Sequence, residues 1–253
     1  MLGEAFELVS FSLCVALAAV IVGVAARRGL RWISPAGGPI DPVVVERMKA
    51  SEMGVAALVG FVLALSLNSA RELYGQANDV AVNESLEALR LGRILRAIDE
   101  VTTRPQREQL RAYTQSVVDQ EWETLSRQPA VLSDATDARL DALRDGVETM
   151  SRGMDVRVRE RLNESLVQLE HLRFRRLEIA RRDRAHTFWL DMALVLALGA
   201  IASGHFEWTV ARAVAYAIYW LAIGLVIWLL LEFQQPYSGW LRIDPAILLN
   251  AVQ

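Results

Sequence analysis

The stretch MGVAALVGFVLALSLNSARELYGQAND, Met53 to Asp79, decides the fold. Its first fifteen residues, Met53 to Leu67, carry no charge. Polarity then arrives at Asn68, Ser69, Arg71, Glu72, Tyr74, Gln76 and Asn78 with no proline and no turn cluster between. This pattern predicts one helix that leaves a membrane and continues into water. Fifteen residues rise roughly 22 Å, short of a hydrocarbon core of about 30 Å. Gly54, Ala56, Ala57, Gly60 and Ala64 are small, which suits a helix packed among protein neighbours or around a cavity.

Working outward, residues 8–26 form an uncharged run of nineteen, long enough to span a bilayer. A signal peptide is the competing reading, but Glu4 and Glu7 precede the run and Arg27, Arg28 and Arg31 follow it. Residues 32–45 hold three prolines and two glycines and read as a loop. Residues 187–203 form a third apolar span, containing Asp191, and residues 213–231 a fourth, with tryptophan and tyrosine near its ends. The expected fold class is an all-α membrane protein: four transmembrane helices, with a cytoplasmic helical bundle between the second and third. The expected segments are 1–68 for the first two spans, 69–186 for the bundle, 187–232 for the last two spans and 233–253 for a tail.

Inside the bundle, Val80, Leu86, Leu89, Leu91, Ile94, Leu95 and Ile98 give an apolar stripe, with Glu84, Glu87, Arg90, Arg93 and Arg96 off it. Thr103 and Pro105 read as a cap and first-turn proline for a helix running through Leu110, Tyr113, Val117 and Trp122 and ending before Pro129. Ser133 and Asp134 read as the cap of the next, broken near Gly153. Val158, Leu162, Leu166, Leus 169 and 172, and Leu177 mark a seam on a long helix from Asp155. Aspartate and glutamate interleave with arginine throughout, which reads as a salt-bridged, solvated surface.

Composition excludes several functions. A net charge of −3 gives no footprint for nucleic acid. The single Cys14 allows no internal disulfide, and there is no cysteine–histidine cluster for a metal. No nucleophile elbow, metalloprotease helix or glycine-rich phosphate loop is present, so the expectation is no enzyme, no cofactor and no metal. Basic residues near the membrane favour a cytoplasmic bundle, with Arg71, Arg173, Arg175, Arg176, Arg181, Arg182 and Arg184 on its side.

Three segments together carry a resemblance: GFVLALSLNSARELYGQA at 60–77, RRLEIARRDRAHTFW at 175–189 and LEFQQPYSGWLRIDPAIL at 231–248. The chain resembles the bacterial bestrophin-like domain family over roughly residues 50–250. In that family a Gly-Phe helix runs into a polar extension, and a segment with an acidic residue and then Pro-x-Ser-Gly, here Glu232, Pro236, Ser238 and Gly239, follows the last helix. It is more distantly similar to bestrophins, pentameric ion channels whose pore helix carries the spacing of Gly60, Phe61 and Tyr74. The resemblance implies an oligomeric channel of the bacterial inner membrane, a homo-oligomer such as a pentamer in contact with lipids and inorganic ions. It implies passive conduction, of anions by default, through a constriction at Phe61 with Ala57 and Met53 one and two turns earlier. Alanine at 57 departs from the bulky residue expected there, and no calcium clasp follows the fourth span.

Met53, Ala57, Phe61, Ala64 and Asn68 lie on one helical stripe, readable either as a pore lining with an apolar gate or as packing between membrane helices. Arg71 and Glu72, with the arginines from Arg173 to Arg184, would form vestibule rings in a symmetric oligomer, or anchors at lipid head groups. Asp191 reads as a proton carrier or as an ion-pair partner, and Glu232 is similarly ambiguous. The alternatives to a channel are a membrane scaffold or sensor whose bundle binds a protein, or a proton-coupled device using Asp191.

Overall fold

A computed structural model describes residues 42–127, 130–181 and 210–249. The expected first span at 8–26, the third at 187–203 and Asp191 lie outside the described residues. Among the described residues every regular element is helical and there is no strand, in keeping with the all-α expectation. Helix α1 runs from Pro42 to Ile98, α2 from Arg104 to Ser116, α3 from Trp122 to Ser126 and α4 from Asp134 to Ser151. Helix α5 runs from Val156 to Arg181, α6 from Val210 to Phe233 and α7 from Ala246 to Leu249. Between α2 and α3, Val117–Glu121 forms a wider π turn.

The chain divides into two compact units: Met1–Arg71 with Asp183–Gln234, and Glu72–Arg182 with Gln235–Gln253. In the first unit, Val59, Leu63 and Ala70 of α1 share an apolar cluster with Trp220, Ile223, Ile227 and Leu230 of α6. The steps are four and seven residues along α1 and three and four along α6, so each presents one face to the other. One helix among the described residues, over Met53–Ile98, is long and apolar enough to cross a membrane, and α6 contributes a shorter apolar stretch at Ala217–Phe233. Only 11% of the most apolar part of the former is buried, whereas the core helix of a soluble protein would be mostly buried.

The second unit has its own core. Ala77, Ala81, Ala88, Leu91 and Leu95 of α1 meet Leu110 and Tyr113 of α2, Leu140, Leu143 and Val147 of α4, and Leu162, Leu166, Leu169 and Leu177 of α5. Tyr237, Ile243 and Leu248 of the C-terminal stretch join the same core, and the Ser85 hydroxyl donates to the Ile247 carbonyl at 2.9 Å.

Four local expectations are corrected. Leu86, placed on the apolar stripe, is 55% exposed, whereas Glu84, placed off it, is fully buried. Thr103 does not cap α2 through its side chain; its hydroxyl donates back to the Leu95 and Asp99 carbonyls at 2.9 and 2.5 Å. Ser133 likewise makes no side-chain cap, and it is its carbonyl that accepts from the Thr136 and Asp137 amides. The helix expected to run straight through Val117 and Trp122 is interrupted by the π turn, after which α3 does end before Pro129.

Candidate functional site

Two constellations stand out, one in each unit. In the first unit the expected stripe of α1, Met53, Ala57, Phe61, Ala64 and Asn68, is exposed at every position, with Met53 at 76% and Phe61 at 62%. The opposite face of the same turns carries Val59 and Leu63 against α6. A Cβ added at Gly54 or Gly60 would meet nothing, so no close approach within the chain requires those glycines. Arg71 and Glu72 are exposed where the stripe ends, and Gln76 Nε2 donates to Glu72 Oε1 at 3.5 Å. Tyr74 is half-buried against the core of the second unit.

The motif residues begin in the last turn of α6, and those beyond it build a turn. Glu232 is half-buried. Pro236 is buried and its carbonyl accepts the Ile243 amide at 2.9 Å. Ser238 donates through its hydroxyl to Gln235 Oε1 at 3.1 Å, and its amide bonds the Gln235 carbonyl at the same distance. Gly239 sits at φ 80°, in the region where a Cβ is strained. The turn thus seats Tyr237, whose ring meets Trp122 edge-on at 5.5 Å and 81°.

The second constellation is a buried ionic cluster. Glu84 on α1, Glu121 on the π turn and Arg173 and Arg176 on α5 are each 2% exposed or less. Arg173 donates from Nε and Nη2 to Glu121 Oε2 at 2.7 and 2.5 Å, and from Nη2 to the Ser133 carbonyl at 3.3 Å. Its Nη1 pairs with Asp137 of α4, whose side chain is half exposed. Arg176 donates from Nη2 to Glu121 Oε1 at 2.6 Å, and its Nε lies 3.1 Å from Glu84 Oε2 without hydrogen-bond alignment. Tyr113 donates its hydroxyl to Glu84 Oε1 at 3.0 Å, and the Arg176 guanidinium lies over the Trp122 ring, 5.2 Å from its centre.

Glu121 therefore serves both arginines at once, one carboxylate oxygen to each. The π turn adds a residue to the helical rotation and aims this side chain inward, as such turns often do at functional positions. Burial pushes the Glu84 carboxyl above the usual carboxylate value; Arg176 opposes this, Glu121 adds to it, and Tyr113 opposes it again. Burial pulls both arginines down, but Glu121 and then Asp137 hold Arg173 above its usual value, and Glu84 and then Glu121 do so for Arg176.

This cluster corrects the reading of the bundle's charges as wholly a solvated surface, and it removes Arg173 and Arg176 from any vestibule ring. Arg175 is exposed and pairs with Glu178 at 3.6 Å. The signal was periodic. The α5 seam at Leu162, Leu166 and Leu169 steps next onto Arg173 and Arg176, and the α1 seam Ala77, Ala81, Ala88 has Glu84 at its centre.

The model of the bestrophin-like domain matches residues 51–248. The structure is similar to a crystal structure of a bacterial bestrophin homologue from Klebsiella pneumoniae, with a TM-score of 0.74 and 12% identity over 95% of each chain. A second crystal structure of the Klebsiella pneumoniae homologue matches at TM-score 0.73 and 12% identity, covering 95% of this chain and 98% of that one. A crystal structure described as a membrane protein matches at TM-score 0.74 and 12% identity, covering 97% and 96%. At such identities the likeness speaks for the fold. Comparison with curated protein sequences finds no match. With its family model extending from the third turn of α1 to α7, this chain belongs to the bestrophin-like domain family, a family of integral membrane proteins.

Proposed function

We propose that this chain is one subunit of a homo-oligomeric, bestrophin-like ion channel that conducts passively, with α1 nearest the axis. The observation that carries the reading is the two-faced first half of α1. Val59 and Leu63 pack against α6, while Met53, Ala57, Phe61, Ala64 and Asn68 stay exposed on the opposite side. Apolar side chains left uncovered on one face of a helix call for lipid or for further copies of the chain. The small Gly60, Ala57 and Ala64 beside Phe61 favour close approach of protein over lipid.

In a ring of such helices Phe61 forms an apolar constriction that closes by dewetting. Asn68, Arg71 and Glu72 follow it as the first polar groups met by an ion. Anions are the default substrate by family likeness. A pentamer in a bacterial inner membrane with its bundle in the cytoplasm completes the proposal. This is a conduction pathway rather than a catalytic centre.

The test is ion flux through the reconstituted protein. Phe61→Ala widens and wets the constriction, so flux should rise several-fold with the oligomer intact on size exclusion. Unchanged flux in an intact oligomer would place the gate elsewhere, and a protein without flux in either form would favour the scaffold.

A further inference from the structure

We propose that the turn from Gln235 to Arg242 is a membrane-interface anchor, with the Trp240 ring at the head groups of the bilayer and Arg242 on a phospholipid phosphate. The loop is built to hold its tip still. The Ile243 amide donates to the Pro236 carbonyl at 2.9 Å and closes the loop at its base. Inside it the Ser238 amide and hydroxyl both turn back onto Gln235, and Gly239 makes the left-handed step at φ 80°. Tyr237 is buried and plugs one side of the loop into the core, while Trp240, three residues on, is 55% exposed. A loop pinned at its base and plugged at one side thus displays an indole outward.

Among the described tryptophans Trp122 and Trp220 are buried and Trp228 is half-buried, so this display sets Trp240 apart. Tryptophan carries a broad apolar body with one N–H at its edge, which suits the zone where hydrocarbon gives way to head groups. The chain itself keeps the ring close to an apolar helix end. The apolar stretch Ala217–Phe233 stops three residues before Pro236. The closed loop holds Trp240, four residues along, within roughly 14 Å of Pro236. Arg242 is exposed two residues further on, and a guanidinium meets phosphate oxygens in matching fork geometry. Asp244, the next carboxylate, accepts the Ala246 amide at 2.9 Å at the start of α7. A protein partner fits this tip less well. Trp240 is the large apolar side chain left exposed between Gln235 and Leu249. One indole offers at most about 250 Å², against roughly 800 Å² per partner in a stable protein interface. A bilayer asks only for one amphipathic ring. The inference rests on the membrane character of the family and needs neither conduction nor a ring of subunits, so it and the channel reading fail separately.

The experiment reconstitutes the purified protein into vesicles of phosphatidylcholine and phosphatidylglycerol in which part of the lipid carries a nitroxide, either on the head group or deep in the acyl chain. Tryptophan emission of wild type minus that of W240F isolates the Trp240 signal, and W240Y serves where W240F does not fold. This difference emission should lose most of its intensity to the head-group nitroxide, and little to the deep nitroxide or to iodide on both sides of the vesicle. The same difference taken in R242Q should show weaker head-group quenching and stronger quenching by iodide, with melting unchanged from wild type. A Trp240 signal quenched by iodide and not by the head-group nitroxide overturns the proposal and leaves the ring in water. A signal quenched by neither overturns it in favour of cover by another protein surface. Quenching unchanged in R242Q overturns the part given to Arg242.

Discussion

On α1 the side chain of Phe61 is 62% exposed, while Glu84, further along the same helix, is not exposed at all. The two halves of this helix depart from the usual sorting of residues in opposite directions. Before Arg71 the apolar side chains outnumber the partners that cover them, and Met53, Leu58, Phe61 and Leu65 are all more than half exposed. After Glu72 the face turned inward includes a carboxylate, and the helices around it supply two arginines and a second glutamate. The first half is incomplete as a single chain in water, since exposed apolar surface on this scale is stable only beside lipid or another copy. The second half is complete within one chain, because buried charges are tolerated where each meets its opposite. One helix thus joins a surface made for an environment to a core made by the chain itself.

Three substitutions break or sharpen that contrast, beginning with the largest expected effect. Glu121→Ala removes the carboxylate shared by both buried arginines. It should cost about 3–5 kcal/mol and leave the bundle open to protease, measured by denaturation of the purified protein and limited proteolysis. A loss under 1 kcal/mol would mean that the cluster is solvated in the working protein and that the contrast is false. Tyr113→Phe withdraws the single donor from Glu84 Oε1 and should cost about 1–3 kcal/mol in the same assay. Phe61→Ala touches nothing in the packed face of α1 and should change stability by less than about 0.5 kcal/mol while changing flux. A large loss of stability there would show that Phe61 is a packing residue between helices.

What could be read from the sequence follows the same division. The uncharged run ending at Leu67 and its polar continuation marked α1 without ambiguity, because no helix breaker falls between them. The stripe through Phe61 lies on the face that the structure leaves exposed, since a period of 3.6 fixes which residues share a side. The ionic cluster escapes any reading in which charge stands for solvent. Arg173 and Arg176 continue the spacing of Leu162, Leu166 and Leu169, and Glu84 continues that of Ala77 and Ala81, so register placed them inside when residue type placed them outside. The π turn left no such trace. Val117 to Glu121 is an ordinary helical sequence, and the extra residue is stabilised by what Glu121 reaches across the bundle, a tertiary cause that no local pattern records. The Pro236–Gly239 turn was recognisable as a motif, but its purpose, seating Tyr237 against Trp122, depends on a residue far away in the chain.

In the proposed channel the uncovered face of α1 is completed by other copies of the chain around an axis. Imaging of the purified, detergent-solubilised protein tests it most directly. The expected result is a symmetric ring in which Met53, Ala57, Phe61, Ala64 and Asn68 of every copy face a central path, narrowest at Phe61. A monomer, or a ring whose axis is lined by other helices or filled with lipid while this face points outward, would contradict it.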